Sequence, residues 1–418
     1  MSLAELPVEM LEEIFQYLDV QDMVNAWQAV RVEGCEVYWA EVCRRKGYVE
    51  PEVGYSWRNV VQSYCNWRTG KCVSHDCDLP SLVDPNSLQQ FELDLLGNIL
   101  SVRDGTLQII NILDTPKLIQ TINNVRCYAI SNFKLSTYDG SVFHIYTLHE
   151  ARYLEIFQVK LEWWPYFTQS NMFIAIQNSD SVIIFNLDPD SLKQSNCILP
   201  EFYYVILMSI IGDVLNVVYM RSLRRLTLIR FNLQTRVQLN NVVLRQDKFW
   251  SSEDENGYRV EISSHLIVYH TGSRNNFTAR RVSGELLTTL LVFDFIAVEG
   301  EFVVYYTHPN KHNIHIWTSR KPGDAKTPLN LGPDTYVRAH TVTGLLLVLT
   351  YRDCFKVIDI TKAKFVCKVE FQNFMSDIYP DVYVNQNYYA IFIKKKSRET
   401  ANPFKTYLTV YDFREKLS

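Results

Sequence analysis

Glycine and proline are scarce, 15 and 14 in 418 residues, and no stretch is dominated by a few residue types. That excludes collagen-like, low-complexity and disordered readings and leaves a chain expected to fold throughout. Histidine is equally sparse, nine residues spread along the chain, and there is no P-loop, dinucleotide glycine motif, H-E-x-x-H or nucleophile elbow. A catalytic centre therefore has no anchor. His312 and His315 are close enough to suggest a site, but alternation along a strand explains them more simply. The most apolar stretch, residues 203–220, is broken by Gly212 and Asp213, which makes it a core hairpin rather than a membrane span. The first thirteen residues hold four glutamates and no base, the opposite of an export or organellar signal. The nine cysteines, an odd number without regular spacing, suit reduced thiols in a cytoplasmic or nuclear protein without disulfides. Cys65, Cys72, His75 and Cys77 could supply four ligands, but their spacing matches no paired C-x-x-C zinc pattern, so neither a metal nor a cofactor is expected. No nucleic-acid or membrane partner is expected either.

What is present is 47% hydrophobic and 13% aromatic, with 21% charged. The length suits two domains, or a small helical module joined to a large β-domain. Residues 1–50 carry ten acids and four bases, a net of −6 against +2 for the remainder, so the two parts are expected to meet different partners.

In residues 6–18, LPVEMLEEIFQYL, Pro7 suits a first helical position, and Met10, Leu11, Ile14, Tyr17 and Leu18 recur at helical spacing. Asp19 is placed to cap a second helix with stripe Met23, Val24, Trp27 and Val30; a third holds Tyr38, Trp39, Val42 and Cys43. About forty residues bury too little surface to stand alone. The apolar surface is therefore covered either by a partner or by the rest of the chain, and periodicity does not choose between them.

The pattern Leu6, Pro7, Glu9, Leu11, Ile14, Phe15, Leu18, Asp19, Asp22, continued in Val30 and the Trp39, Val42, Cys43 cluster, resembles the F-box signature over roughly residues 3–47. The chain departs from it after Val30. Where family members usually carry a cysteine, a basic residue and a tryptophan, Arg31, Val32, Glu33 and Gly34 follow, and the junction to the third helix looks short. The resemblance implies binding of a Skp adaptor, and through it a cullin, by the surface that carries Leu6, Pro7, Leu11, Ile14 and Leu18.

A linking helix is expected over residues 55–64, followed by Asn66, Trp67, Arg68, Thr69, Gly70, Lys71 and Cys72, a run similar to the segment joining F-box to propeller in F-box/WD-repeat proteins. Past residue 90 one theme repeats: an apolar strand, a polar turn and a second apolar strand. FELDLLGNILSVRDGTLQIINILDT is the clearest copy. Leu113, Leu148, Leu187, Leu233, Val282, Trp317, Ile360 and Phe413 mark eight units, with a mean step of about 43 residues, in the range of propeller blades. Turns such as Asp104, Gly105 and Asp139, Gly140 supply residues that tolerate positive φ between paired strands. No Gly-His or Trp-Asp pair marks a unit, so the WD-repeat likeness is degenerate. The fold is expected to be mainly β, a small α-helical F-box followed by a β-propeller of eight blades, or seven if the long unit near 235–300 or the first unit is irregular. Its parts are an F-box at 1–47, a helical linker at 48–72 and the propeller at 73–418.

The chain ends five residues after Phe413, with no length for an outer strand in the last blade, so a stretch between Trp67 and Leu82 is expected to supply it. The resemblance implies a non-catalytic client receptor of a ubiquitin ligase; a scaffold acting outside a ligase and a propeller enzyme are the alternatives. By analogy with WD-repeat propellers the turns inside the hairpins share one face. They hold Arg103, Arg221, Arg224, Arg225, Arg274 and Arg352, whose guanidinium forks suit an acidic or phosphorylated client segment.

Overall fold

The computed structural model describes residues 6–31, 34–46, 56–78, 91–94, 96–113, 116–131, 134–161, 166–170, 172–178, 181–187, 194–199, 204–221, 225–246, 259–270, 276–292, 294–307, 313–320, 327–332, 335–342, 344–350, 354–371, 381–385, 388–396 and 404–414.

Four helices come first: α1 Val8–Phe15, α2 Val20–Val30, α3 Glu36–Lys46 and α4 Trp57–Thr69. Pro7 is the residue before α1 rather than its first helical residue, a one-position difference. Asp19 caps α2 as its side chain accepts from the Asp22 N–H at 3.0 Å. The fourth helix does not stop at Tyr64, as the sequence suggested. It runs on to Thr69, where Gly70 at φ +71° takes the left-handed conformation that ends helices and is easy only for glycine.

The remaining described residues form eight four-stranded antiparallel sheets. Their first strands are Phe91–Leu93, Cys127–Ser131, Phe167–Gln169, Tyr204–Ile211, Val260–Ile262, Asp294–Glu299, Thr335–Val342 and Asp381–Val384. From the second to the eighth these strands meet neighbour to neighbour, the eighth returns to the first, and blade 1 packs on blade 2 through a shared apolar core. The architecture is an eight-bladed β-propeller, with each blade numbered here in chain order and its first strand innermost.

Residue alternation alone does not explain its strands. In blade 1 the second strand, Asn98–Arg103, buries four consecutive residues, because another blade lies against each of its faces. The outer strand, Lys117–Ile122, is partly exposed along its length. The apolar interior is accordingly divided among the contacts between blades rather than gathered in one core. Leu100, Leu107 and Leu135 fill the space between blades 1 and 2, and Val304, Leu346 and Ile358 that between blades 6 and 7. Such a ring gains stability from each neighbour contact and is complete only when the last forms.

All eight sequence markers, Leu113 through Phe413, lie within two residues of the end of a third strand, so the repeat step did measure blades. The seven-blade alternative fails because the long unit is an ordinary blade: its extra length is 247–258, between the outer strand Val237–Gln246 and Val260, outside the described residues. Turn chemistry is as expected in blade 1, where Asp104 and Gly105 both have positive φ, 49° and 74°.

The final blade is closed from the other end of the chain. Val73–Asp78 pairs antiparallel with Phe404–Asp412, Val73 opposite Asp412 and Asp78 opposite Tyr407, and supplies the outer strand. Thr409 Oγ1 adds a 2.7 Å hydrogen bond to Asp76. Of two successive residues in an antiparallel strand one directs its N–H at its neighbour, so Asp76→Pro with Cys77→Pro must remove a ladder bond and bend the strand. We expect this double variant to lower the melting temperature by several degrees through the whole propeller, as read by circular dichroism; an unchanged melt would show that the strand does not close the ring.

Candidate partner-binding surfaces

The helical module is built round an aromatic cluster. Phe15 meets Trp27 edge-on at 4.9 Å, Trp27 meets Tyr38 at 5.6 Å, and Tyr38 meets Trp39 at 5.1 Å. Leu11, Val24, Val42, Cys43, Val60, Val61 and Cys65 complete this core. Two acids tie the helix ends together: Glu12 Oε1 accepts from the Cys35 N–H at 2.8 Å, and Glu36 Oε2 accepts from the Trp57 N–H at 3.0 Å.

This arrangement redistributes the five residues expected at the adaptor surface. Leu11 is 0% exposed, so it holds the module together from inside and has no surface to offer a partner. Leu6 and Leu18 pack half-buried against the core, while Pro7 and Ile14 stay exposed. The apolar stripe that remains outside is Pro7, Met10, Ile14 and Tyr17, with Met10 at 50%, Ile14 at 42% and Tyr17 at 83%. Met10 and Tyr17 belong to the same helical repeat in the sequence. Only the positions of Phe15 and Trp27 decide which side of the repeat faces out. Arg31, at φ +55°, ends α2, and Val32 and Glu33 of the atypical junction lie outside the described residues.

The thiols of Cys43 and Cys65 lie in this core and burial pushes both up to about 12, so they stay protonated; Cys65 Sγ donates to the Val20 carbonyl at 3.8 Å. Cys65 is therefore engaged within the module.

Helix α4 belongs to two cores at once. Its first turns contribute Val60, Val61 and Cys65 to the module, and its last turn inserts Trp67 between blades 7 and 8. The Trp67 ring lies flat on Phe413, centroids 3.5 Å apart and planes within 10°. Asn66 Nδ2 donates to the Phe413 carbonyl at 2.9 Å, and Cys367 Sγ to the Trp67 carbonyl at 3.6 Å. Arg68 reaches Asp359 at 2.9 Å, and Lys362 stands 4.0 Å from Asp19. Burial opposes the charge on Arg68, but Tyr64, Asp359 and Asp19 more than offset this and hold its pKa above the ordinary value. The N–H of Asp22 and the charge of Lys362 hold Asp19 below the usual carboxylate range.

The hairpin turns lie at the opposite end of the blades from this junction, because each joins a second strand to a third. Arg103, 46% exposed, stands 3.7 Å from Asp104 at the turn of blade 1. Arg221 and Arg225 bracket the turn of blade 4, where the Arg221 N–H donates to the Arg225 carbonyl at 2.8 Å. The Nε of Arg225 is buried without a hydrogen-bond partner, so this side chain is partly withdrawn from the face. Arg224, Arg274 and Arg352 lie outside the described residues. The described arginines thus form one close group at blade 4 and a single residue at blade 1. Of the histidine pair, His312 lies outside the described residues, and His315 stacks on Tyr305 at 5.5 Å with Nε2 3.1 Å from Thr307 Oγ1.

Trp67→Ala should cost about 3–5 kcal/mol, the range for a fully buried aromatic, and should separate the two cores. Scanning calorimetry should then resolve two transitions in place of one. A single transition at the original temperature would mean that the stack does not couple the module to the propeller.

No protein-family model matches the sequence, and no curated protein matches it. Among solved structures, the WD40 domain of SCAP from fission yeast aligns over 82% of this chain and 98% of its own at 8% identity, TM-score 0.45. Sqt1 from Saccharomyces cerevisiae aligns over 77% and 95% at 9% identity, TM-score 0.45, and BamB from Moraxella catarrhalis over 82% and 99% at 11% identity, TM-score 0.45. Likenesses this remote say nothing of function, and the propeller is defined by the chain's own ring of eight sheets.

Proposed function

We propose that this chain is the client-selecting, non-catalytic subunit of a Skp–cullin ubiquitin ligase. The module binds the adaptor, and the hairpin-turn face of the propeller holds a protein client. The observation that carries the reading is the exposed stripe Pro7, Met10, Ile14 and Tyr17 on a module fixed to the propeller by a helix common to both cores. A contiguous apolar stripe on a small helical unit marks an interaction surface, and the resemblance of this helix to the F-box signature, which shares Pro7 and Ile14 with the stripe, suggests the partner. A receptor of this kind performs no chemistry. It raises the effective concentration of client lysines beside a charged conjugating enzyme held in the same assembly, and a rigid connection keeps that concentration from being diluted over many geometries.

The client face is assigned to the arginines of the turns inside the hairpins, Arg103, Arg221 and Arg225; Arg224, Arg274 and Arg352 of the same expected set lie outside the described residues. A guanidinium fork meets phosphate or carboxylate oxygens with paired hydrogen bonds, which favours an acidic or phosphorylated segment.

The direct test uses purified full-length chain and Skp adaptor. Met10→Glu with Ile14→Arg changes only exposed side chains, so the melting curve should hold while adaptor affinity falls by at least about 2 kcal/mol, roughly 30-fold. Leu11→Arg, by contrast, should unfold the module. Adaptor binding that survives the surface variant would reject this stripe as the docking site. Adaptor capture from cells without cullin would favour a role outside a ligase.

A further inference from the structure

The two central strands of the last blade are longer than the sheet that holds them. Tyr388–Lys396 and Phe404–Asp412 pair along their whole length, from Tyr388 opposite Asp412 to Lys396 opposite Phe404. On the side toward the axis the first strand of the blade reaches only to Asp381, opposite Phe392, and on the outer side Val73–Asp78 reaches only to Asp78, opposite Tyr407. The pairs Lys394–Thr406, Lys395–Lys405 and Lys396–Phe404 therefore stand beyond both neighbours, with no further strand beside them among the described residues. Blade 4 shows the ordinary arrangement: Tyr204 is opposite Met220 and Gln246 opposite Arg225, so its flanking strands run to the ends of the central pair. Because the overhang leads into the turn between a second and a third strand, it lies at the hairpin-turn end of the blades.

Residues 393–396 and 404–406 read IKKK and FKT, four bases and no acid. Lys395 directly opposite Lys405 is a like-charged cross-strand pair, which weakens a ladder, and a two-stranded ribbon is itself marginal in water. The charge therefore works against the ribbon's own stability. Its effect is on what can join the ribbon. A strand edge carries unpaired N–H and C=O groups to which an extended chain can add. Lysines along that edge repel a second copy of it and any basic chain, and attract an acidic one. Protection of the edge from pairing does not by itself call for lysines opposite one another. The backbone thus selects an extended segment, and the charge selects an acidic one.

We infer that the overhang of blade 8 binds an acidic segment of a partner protein as an added β-strand, laid along Lys394–Lys396 on the side toward the axis. That edge is lysine at all three positions, whereas the outer edge has Lys405 between Phe404 and Thr406. The added strand lies next in line after Asp381–Val384 and takes up the ladder where that strand stops. Blade 1 adjoins blade 8, and Arg103 at its hairpin turn stands at the same end. The inference rests on the client-binding part of the proposed function, to whose acidic segment it gives a backbone conformation and a place; the adaptor has no part in it.

The test is calorimetric titration of the intact chain with acetyl-Glu-Thr-Glu-Val-Glu-Thr-Glu-amide, its glutamine-for-glutamate counterpart, and two forms N-methylated on one or the other set of alternate residues. The acidic peptide should bind, and the glutamine peptide at least about tenfold more weakly. A strand directs alternate N–H groups to one side, so one methylated form should lose at least about tenfold in affinity and the other should keep it. Lys394→Gln with Lys395→Gln and Lys396→Gln should lose about as much for the acidic peptide, while the melting temperature holds or rises because like charges are removed. Unchanged affinity in this triple variant, or equal affinity of the two methylated forms, would overturn the added strand. If affinity falls instead in Arg103→Gln with Arg221→Gln, the client reading stands and the ribbon is rejected; no binding of the acidic peptide at millimolar concentration would overturn both. If the triple variant fails to fold, the two methylated peptides on the unmodified chain decide.

Discussion

The Trp67 ring stacked on Phe413 is the contact on which the rest of the molecule depends. A propeller has no single core. It has a circle of contacts between blades, each stabilising only its neighbours, and the circle is stable when its last member is in place. Here the eighth blade, which meets both the seventh and the first, is completed by residues from both ends of the chain: Val73–Asp78 supplies its outer strand, and Trp67 fills the space between it and blade 7. Asn66 and Phe413 are 347 residues apart in sequence, so bringing them together costs about 5 kcal/mol of loop-closure entropy. Burial of Trp67, the hydrogen bonds of Asn66 and Cys367 and the Arg68–Asp359 pair offset that cost at one place.

The same place fixes the helical module. Helix α4 gives its first turns to the module core and its last to the propeller, with Tyr64 packed against both. Salt bridges reinforce the joint without defining it. Lys362 and Asp19 are both more than half exposed, and a pair so hydrated contributes at most about 1 kcal/mol. The nearly buried Asp359 is more demanding: loss of Arg68 would leave an acid that only the Thr361 side chain and the Thr361 and Lys362 N–H groups still serve. The result is a body with an exposed apolar stripe at one end and the hairpin turns at the other.

Much of this was legible in the residues. Two-residue turns such as Asp104, Gly105 and aliphatic residues closing each third strand set the period of the blades. Asp19 and the Trp27, Tyr38, Trp39 cluster announced the helices. The outer strand of the last blade is Val73–Asp78, inside the stretch between Trp67 and Leu82 expected to supply it. What periodicity could not resolve was which side of a repeat faces out. Leu11 and Ile14 are equally apolar and lie on one arc of α1, yet Leu11 meets the core and Ile14 meets solvent. Gly70 was an available stop signal for α4, but the polar run Asn66 to Thr69 hid the helix that leads to it. The burial of Glu92 was hidden for a different reason: in FELDLL it resembles the solvent side of any strand, and only blade 2, lying against the face it shares with Leu100, buries it.

Native-state hydrogen exchange of the full chain tests most directly whether one helix unites two cores. If Trp67 and Phe413 bind module and propeller into a single cooperative unit, the amides of α4 and those of Phe404–Asp412 must open with the same free energy and the same dependence on denaturant. Opening of α4 at markedly lower free energy, with the amides of the closing strand still protected, would contradict the account.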